Sequence, residues 1–150
     1  MGTEIDLIEL LERDHRRIDG LAESLDTTSD TEEIRALFVQ ILDAVLVHER
    51  IEREILFPAF LGVMADAEGT TIQARTGEHE ELDELLEEMS RLDVDGYAFI
   101  KRGSALLLEL EGHFAREEES VFAPMRAKVP AAELVRLGRR ALSVESTSDA

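Results

Sequence analysis

Four long segments of this chain repeat apolar residues at steps of three and four, the spacing of an amphipathic α-helix. They cover about 4–25, 31–61, 71–91 and 96–127, and short stretches of turn-forming residues separate them. No segment alternates apolar and polar residues with a period of two, so we predict no β-sheet. Four long helices joined by short loops predict an all-α fold, an up-down-up-down four-helix bundle.

The C-terminal part of the chain adds one more element. Pro130 opens an amphipathic segment that ends near position 144, which predicts a short fifth C-terminal helix. Residues 145–150 are small and polar, a composition typical of a flexible tail. A length of 150 residues suits a single core. We therefore expect one domain over 1–144, followed by a flexible C-terminal tail over 145–150.

The charge balance and the absence of cysteine exclude several function classes. Lys and Arg total 16 against 34 Asp and Glu, and the net charge of −18 repels phosphate backbones, so we expect no nucleic-acid partner. Without cysteine there can be no disulfide, zinc finger or cysteine-ligated cluster. No apolar run is long enough for a membrane span, and the acidic N-terminus lacks a signal-peptide start. The expectation is a cytoplasmic protein, and the sequence indicates no particular protein partner.

Polar residues interrupt the apolar stripes of all four helices. Each stripe carries one histidine, and two of these histidines are followed four residues later by a glutamate on the same face. A buried carboxylate without a partner costs several kcal/mol, and no lysine shares these stripes. Two metal ions, each held by two imidazoles and bridged by the carboxylates, would supply the missing positive charge. The alternative is a metal-free polar network. The predicted ligands are His15, His48, Glu52, His79, His113 and Glu117.

The first two helical segments resemble the second two. The His-x-x-x-Asp pattern that begins at His15 recurs at His79, and the His-x-x-x-Glu pattern of His48 recurs at His113. Two helical hairpins of one pattern, packed together, predict a pseudo-twofold axis. The two glutamates would then lie near that axis, between two equivalent pairs of histidines.

Five further residues near the predicted ligands carry two readings each. Arg75 either shields the site and pairs with a bridging glutamate, or extends its charge to solvent at the end of the bundle. Asp19 and Asp83 either accept an N–H from a ligating imidazole or form exposed salt bridges. Glu49 and Glu118, each next to a predicted ligand, either replace that ligand or lie at the surface or just outside the ligand shell.

The ordered pattern His, His-x-x-x-Glu, His, His-x-x-x-Glu resembles the hemerythrin-like family, also called HHE cation-binding domains. The resemblance covers about residues 5–127 and implies a non-haem di-iron centre, oxo- or hydroxo-bridged, in an up-down bundle. Manganese and zinc suit the same donors. By matching positions, the resemblance assigns one iron to His15 and His48, the other iron to His79 and His113, and the bridges to Glu52 and Glu117.

The pattern departs from oxygen-carrying hemerythrins at two places. Those proteins have a second histidine one turn from the first on the third helix, where this chain has Arg75 or Asp83. Their last helix carries His-x-x-x-x-Asp, whereas this chain has His113-x-x-x-Glu117. The resemblance therefore implies a protein that binds or reacts with dioxygen, peroxide or nitric oxide, catalase-like if it is an enzyme. The alternative is a non-catalytic sensor of oxygen or nitric oxide, or an iron store.

Overall fold

A computed structural model describes residues 4–64 and 69–148. The described residues are almost entirely helical and contain no strand, which confirms the all-α prediction. The segments α2, π1 and α3 form one continuous rod, and α5, π2 and α6 form another. With α1 and α4 these rods make the four-helix bundle, and α7 is the fifth helix. The elements are α1 (Leu7–Thr27), α2 (Thr31–Ile51), π1 (Glu52–Leu56), α3 (Phe57–Val63), α4 (Gly69–Ser90), α5 (Tyr97–Glu117), π2 (Glu118–Phe122), α6 (Ala123–Lys128) and α7 (Ala131–Ser148).

The bundle buries two apolar clusters with a polar layer between them. One cluster lies toward the α1–α2 turn and includes Ile18, Ile41, Leu86 and Leu106. The other gathers apolar side chains from the start of α1 and from π1, α3, π2, α6 and α7. Eight buried polar or charged residues are found in the described chain, and six of them are the predicted metal ligands. The site therefore sits at mid-height, enclosed by apolar packing at both ends.

Helix α7 packs across the outside of the bundle, against α1 and α2. Gly138 makes this close approach possible, because a Cβ at that position would collide with the Ile5 carbonyl oxygen and lie 3.0 Å from the Asp6 carbonyl carbon. The helix continues to Ser148, past the end near 144 that the sequence predicted, and Thr147 Oγ1 donates to the Ser143 carbonyl at 3.0 Å. The predicted tail thus begins inside α7, and its last two positions, 149 and 150, lie outside the described residues. The division of the chain at 144 stays a prediction.

A π-helical turn lies at each predicted bridging glutamate: π1 begins at Glu52, and π2 begins directly after Glu117. The Phe57 amide donates to the Glu52 carbonyl, and the Ala123 amide donates to the Glu118 carbonyl, five residues back instead of four. Each turn therefore contains an extra residue, which rotates the following side chains by about 100° relative to an α-helix. A proline, Pro58 or Pro124, follows each turn and cannot donate a backbone hydrogen bond.

Beyond each His-x-x-x-Glu motif, the inward face predicted from the sequence is wrong because of the π turns. The α-helical period placed Ala59, Ser120 and Pro124 on the apolar stripe, yet all three are only half-buried. The buried positions each lie one residue later, at Phe60, Val121 and Met125. The extra residue in each turn is the physical reason, since a constant period of 3.6 cannot include it. Upstream of the turns the predicted stripes are confirmed, for example at Leu82, Leu86 and Met89 on α4.

Candidate metal centre

The six predicted ligands meet in one buried layer, to which α1, α4 and the two continuous rods all contribute. Their side chains are at most 2% exposed except that of His79, which is 9% exposed. Imidazole Nε2 atoms and carboxylate oxygens face each other across the layer. His15 Nε2 lies 2.9 Å from Glu117 Oε1, and His79 Nε2 lies 2.8 Å from Glu52 Oε1. The structure therefore brings together the whole set that the sequence singled out.

These donors form two groups of four that have both carboxylates in common. In each group, one ligand atom per residue lies within 4.8 Å of all the others, and every member is buried. One group takes its histidines from the first hairpin and the other from the second, as the internal repeat predicts. The groups are His15, His48, Glu52 and Glu117, and Glu52, His79, His113 and Glu117. Two ions bound at these groups would share both glutamates.

Unsatisfied donors and acceptors in this layer fit metal ions better than a closed hydrogen-bond network. Both oxygens of Glu52, Oε2 of Glu117, and Nε2 of His79 and His113 are buried without a hydrogen-bond partner. His79 Nε2 and Glu52 Oε1 are near enough for a hydrogen bond, but their orientation does not make one. The Nε2 atoms of His15 and His48 face each other at 3.1 Å. Buried orphan groups cost 1–3 kcal/mol or more each, so this donor set fits bound cations.

The electrostatics of the layer keep one imidazole neutral and one carboxylate ionised. Burial lowers the pKa of His15 to about 4. Burial also acts to lower the pKa of His48, but the Glu52 charge and the hydrogen bond to Asp14 raise it well above its usual value. Burial acts to raise the pKa of Glu52, but its interactions with His48 and other neighbours hold it well below its usual range. Glu52 thus stays ionised next to His48, and a bound cation would take the place of the His48 proton.

Carboxylates outside the layer contact the Nδ1 atoms of three histidines. Glu118 Oε2 lies 2.7 Å from His15 Nδ1, so this predicted neighbour of the ligands does contact one. Asp14 Oδ2 lies 3.1 Å from His48 Nδ1, and Glu78 Oε1 lies 2.7 Å from His113 Nδ1. A carboxylate that accepts the Nδ1 proton fixes the tautomer and leaves Nε2 free for a metal.

Sequence reasoning missed Asp14 and Glu78, and a signal for them was present. Each immediately precedes the first histidine of its hairpin, so the internal repeat marks them as equivalent. The predicted acceptors Asp19 and Asp83 do not make these contacts. Asp83 hydrogen-bonds to Glu49, and Asp19 has one oxygen buried without a partner.

Arg75 belongs to a network beside the second hairpin and does not contact the bridging glutamates. Its Nε lies 3.0 Å from Glu78 Oε1, and its Nη1 donates to Ser120 Oγ at 3.1 Å. Arg116 approaches the other oxygen of Glu78 at 2.5 Å. Glu78, the carboxylate that holds His113, is therefore shared between two guanidinium groups.

Glu49 is a buried carboxyl group next to the layer and not a member of either ligand group. Burial, followed by its hydrogen bond to Asp83, raises the pKa of Glu49 to about 9. At the corresponding place in the second hairpin is Phe114, whose ring stacks on the His15 ring with 3.9 Å between centroids. The repeat is thus exact for the six ligands and broken around them.

A very small cavity, about 10 Å³ in volume, touches the layer on one side. A volume of this size holds about one water molecule. Three of the four histidines line the cavity, and His15 does not. Its lining residues are Ile18, Val45, His48, Glu49, His79, Leu82, Leu110, His113 and Phe114. A space of this size suits only a very small ligand.

Comparison with known proteins shows the family and supports the fold. The family model described as hemerythrin HHE cation binding domain matches residues 6–103. This chain belongs to the hemerythrin HHE family. Membership implies cation binding, and the buried histidines and glutamates form groups that could hold a metal. The crystal structure of an HHE cation-binding domain-containing protein from Mycobacterium kansasii superposes with a TM-score of 0.78. That match has 23% identity over 97% of this chain and 88% of the other, and it supports the helical-bundle fold.

A second relative is a much longer protein. A protein named DNA nickase from Nostoc sp. is 27% identical over 126 residues, which is 82% of this chain but 34% of the relative. This HHE chain thus spans about a third of that protein. Separately, none of the helices in the described residues combines the length and apolar character that crossing a membrane requires.

Proposed function

We propose that this HHE protein binds two iron ions at its four histidines and two glutamates, and that it reacts with peroxide or dioxygen, or binds nitric oxide, there. The observation that carries the proposal is the pair of four-residue groups with both carboxylates in common. Imidazole and carboxylate donors suit iron, and they also suit manganese or zinc. Two histidines and two bridging carboxylates around each ion would still leave coordination positions open for a small ligand.

The protein's own residues set which ligands reach these positions. Glu52 and Glu117 would hold the two ions at a fixed separation, because each carboxylate faces histidines of both hairpins. The cavity beside His48, His79 and His113 has room for about one water molecule, so only a very small ligand fits there without some movement of the lining side chains. Apolar clusters above and below the layer keep bulk water away.

The reaction that needs no outside partner is disproportionation, 2 H₂O₂ → 2 H₂O + O₂. One peroxide is reduced by two electrons and takes up two protons, and the second is oxidised by two electrons and gives up two protons. When bound, the two iron ions would supply the two electrons and recover them from the second peroxide. A catalase-like activity is therefore the simplest form of the proposed function.

The alternative is a module that binds iron, oxygen or nitric oxide without turnover. The small cavity favours this reading as much as catalysis, because a site that admits only a very small ligand serves a sensor equally well. It predicts ligand binding and a ligand-dependent gain in thermal stability, without sustained release of oxygen from peroxide.

The decisive experiment measures oxygen release from peroxide by iron-loaded protein over many turnovers. We expect release by the wild type and by Glu84→Ala, a control that removes an exposed glutamate of α4. We expect none from the His113→Ala, Glu117→Ala double variant, which removes one terminal and one bridging ligand. Activity that survives in the double variant contradicts the proposal. Iron binding without turnover in the wild type favours the alternative.

The likeness to the Nostoc DNA nickase does not lead us to propose an action on DNA. The chain covers only a third of that protein, and its net charge of −18 opposes phosphate contacts. We expect no shift of duplex DNA in a gel at low salt, where electrostatic binding is strongest.

A further inference from the structure

The hydrogen bonds around the predicted ligands are distributed unequally between the two hairpins. Both histidines of the first pair contact an outer carboxylate, His15 through Glu118 at 2.7 Å and His48 through Asp14 at 3.1 Å. In the second pair, only His113 does so within the described residues, through Glu78 at 2.7 Å. The His79 ring instead stacks against Phe57, with 5.6 Å between centroids.

The charge of the outer carboxylates is also unequal. Glu78 forms ion pairs with two arginines, Arg75 and Arg116. Within the described residues, neither Asp14 nor Glu118 forms an ion pair with an arginine or lysine; their partners are the imidazoles. Two close ion pairs therefore compensate much of the charge of the second pair's carboxylate. Those of the first pair have no ion pair of this kind, and only the more distant charge of Arg16 acts on Glu118.

The internal repeat shows that this inequality comes from particular substitutions. Alignment of the two hairpins places Arg75 opposite Leu11 and Arg116 opposite Ile51. It also places Glu118 opposite Arg53. Each of these three departures makes the surroundings of the first pair more negative or those of the second pair more positive. Glu49 stands where the second hairpin has Phe114. It interacts with Asp83 and is not one of the carboxylates that contact a histidine Nδ1.

An imidazole whose Nδ1 proton is held by a carboxylate is the more basic ligand through Nε2, and such partners change metal affinity by 10–100-fold. From the two outer carboxylates on the first pair and the two arginines on the single carboxylate of the second, we infer that the sites are unequal. The His15–His48 site binds metal first and stabilises the more highly charged state of the metal ion. The His79–His113 site is weaker, and a small ligand adds there. This inference rests on the proposed two-metal function.

The cavity agrees with the assignment. Both histidines of the second pair line it, together with His48, and His15 does not. On the other side, Phe114 and Phe122 stack on the His15 ring, with centroids 3.9 and 5.1 Å away. A small molecule in the cavity therefore meets the site that the outer charges make the weaker one.

The test is a titration of chelator-treated protein with Co²⁺ alone. Calorimetry and the cobalt absorption spectrum monitor each binding step. Repulsion between two ions separates the binding steps even for equal sites, so the variants decide the outcome. In Glu118→Gln, which alters a partly exposed residue, the tighter step weakens about tenfold. With equal sites the untouched site would fill first, and only the weaker step would change.

Arg75→Leu copies the residue at the equivalent position of the first hairpin and should tighten the weaker step severalfold. Arg116→Leu removes the other, more exposed arginine of Glu78 and should act in the same direction, which covers the case in which the Arg75 variant fails to fold. A merely structural role would loosen binding in these variants. Glu84→Gln, an exposed control on α4, should leave both steps unchanged.

Three results would overturn the inference. They are two equal steps in the wild type, an effect of Glu118→Gln confined to the weaker step, and a weaker step unaffected or loosened in both folded arginine variants. None of these results touches the proposed function, because two ions still bind. Failure of the wild type to bind cobalt at all would instead remove the proposed function itself.

Discussion

The metal-free protein should become more stable when one bridging glutamate is neutralised. In Glu117→Gln, the new amide group can donate to the unprotonated Nε2 of neutral His15, which lies 2.9 Å from Glu117 Oε1. The substitution also removes the charge of a carboxylate whose Oε2 is fully buried without a hydrogen-bond partner. A buried unsatisfied polar atom costs about 1–3 kcal/mol, and more when it is charged. The chelated variant should therefore gain about 1–3 kcal/mol in the free energy of unfolding.

The same substitution should destabilise the protein once metal is present. A ligand that binds only the native state stabilises it by about 2.7 kcal/mol at a concentration 100 times its Kd. Glu117→Gln removes a ligand shared by both ions and forfeits much of this gain. The sign of the effect on stability therefore reverses between chelated and metal-loaded protein.

Thermal unfolding followed by circular dichroism, with excess chelator and with saturating metal, measures both effects. For a chain of this size, 1–3 kcal/mol corresponds to a rise in Tm of roughly 3–10 °C in chelator. Glu84→Gln, at an exposed position, should change stability by less than about 0.5 kcal/mol in either condition. If Glu117→Gln destabilises the chelated protein, the carboxylate is satisfied without metal and our reading of the layer is wrong.

Three other changes test the packing and the surface charge. Gly138→Ala should lower the free energy of unfolding by about 1–3 kcal/mol, because its Cβ collides with the Ile5 carbonyl and pushes α7 outward. Gly20→Ala is the control, since nothing lies within 4 Å of a Cβ there. An equal Tm in the two variants would contradict the packing of α7. Leu106→Ala, in the core beyond the layer, should cost about 2–5 kcal/mol in urea unfolding without altering metal stoichiometry; altered stoichiometry would contradict separate roles. Burial and nearby carboxylates raise the pKa of Asp19 to about 6, so the native state loses stability as pH rises from about 4 to 6. After discounting for solvent screening, Asp19→Asn should gain about 1 kcal/mol at pH 7 and nothing near pH 4; a gain independent of pH would refute this cause.

The sequence was sufficient for the ligands because of their position on regular helices. Periodicity placed His48 and Glu52 on one inward face, and the same holds for His113 and Glu117. The structure brings these residues together with His15 and His79 in one layer. Their role as metal ligands remains a prediction, which the titrations above address.

Periodicity failed just beyond the glutamates. A π turn adds one residue, so Phe60 is buried where Ala59 was expected, and Val121 where Ser120 was expected. The only sign of it in the sequence is the proline that follows each motif. Nothing in a stretch of helix-forming residues fixes whether a turn closes over four residues or five.

The outer contacts were predicted in part. Glu118 follows a ligand on its own helix and reaches His15 from there, as one of its two readings allowed. Asp19 and Asp83 lie one turn after a histidine on its own helix, but the acceptors for His48 and His113 come from the neighbouring helix. Relative heights of packed helices decide such contacts, and those heights depend on loops and side-chain packing that a single sequence does not reveal.

Metal content tests the central claim most directly. Chelated protein is reconstituted anaerobically with Fe²⁺, passed over a desalting column and analysed for iron and protein. We predict two irons per wild-type chain and loss of both when Glu52 and Glu117 are replaced together by alanine. One ion per wild-type chain, or two ions retained in the double variant, would contradict a centre in which two metals share these carboxylates.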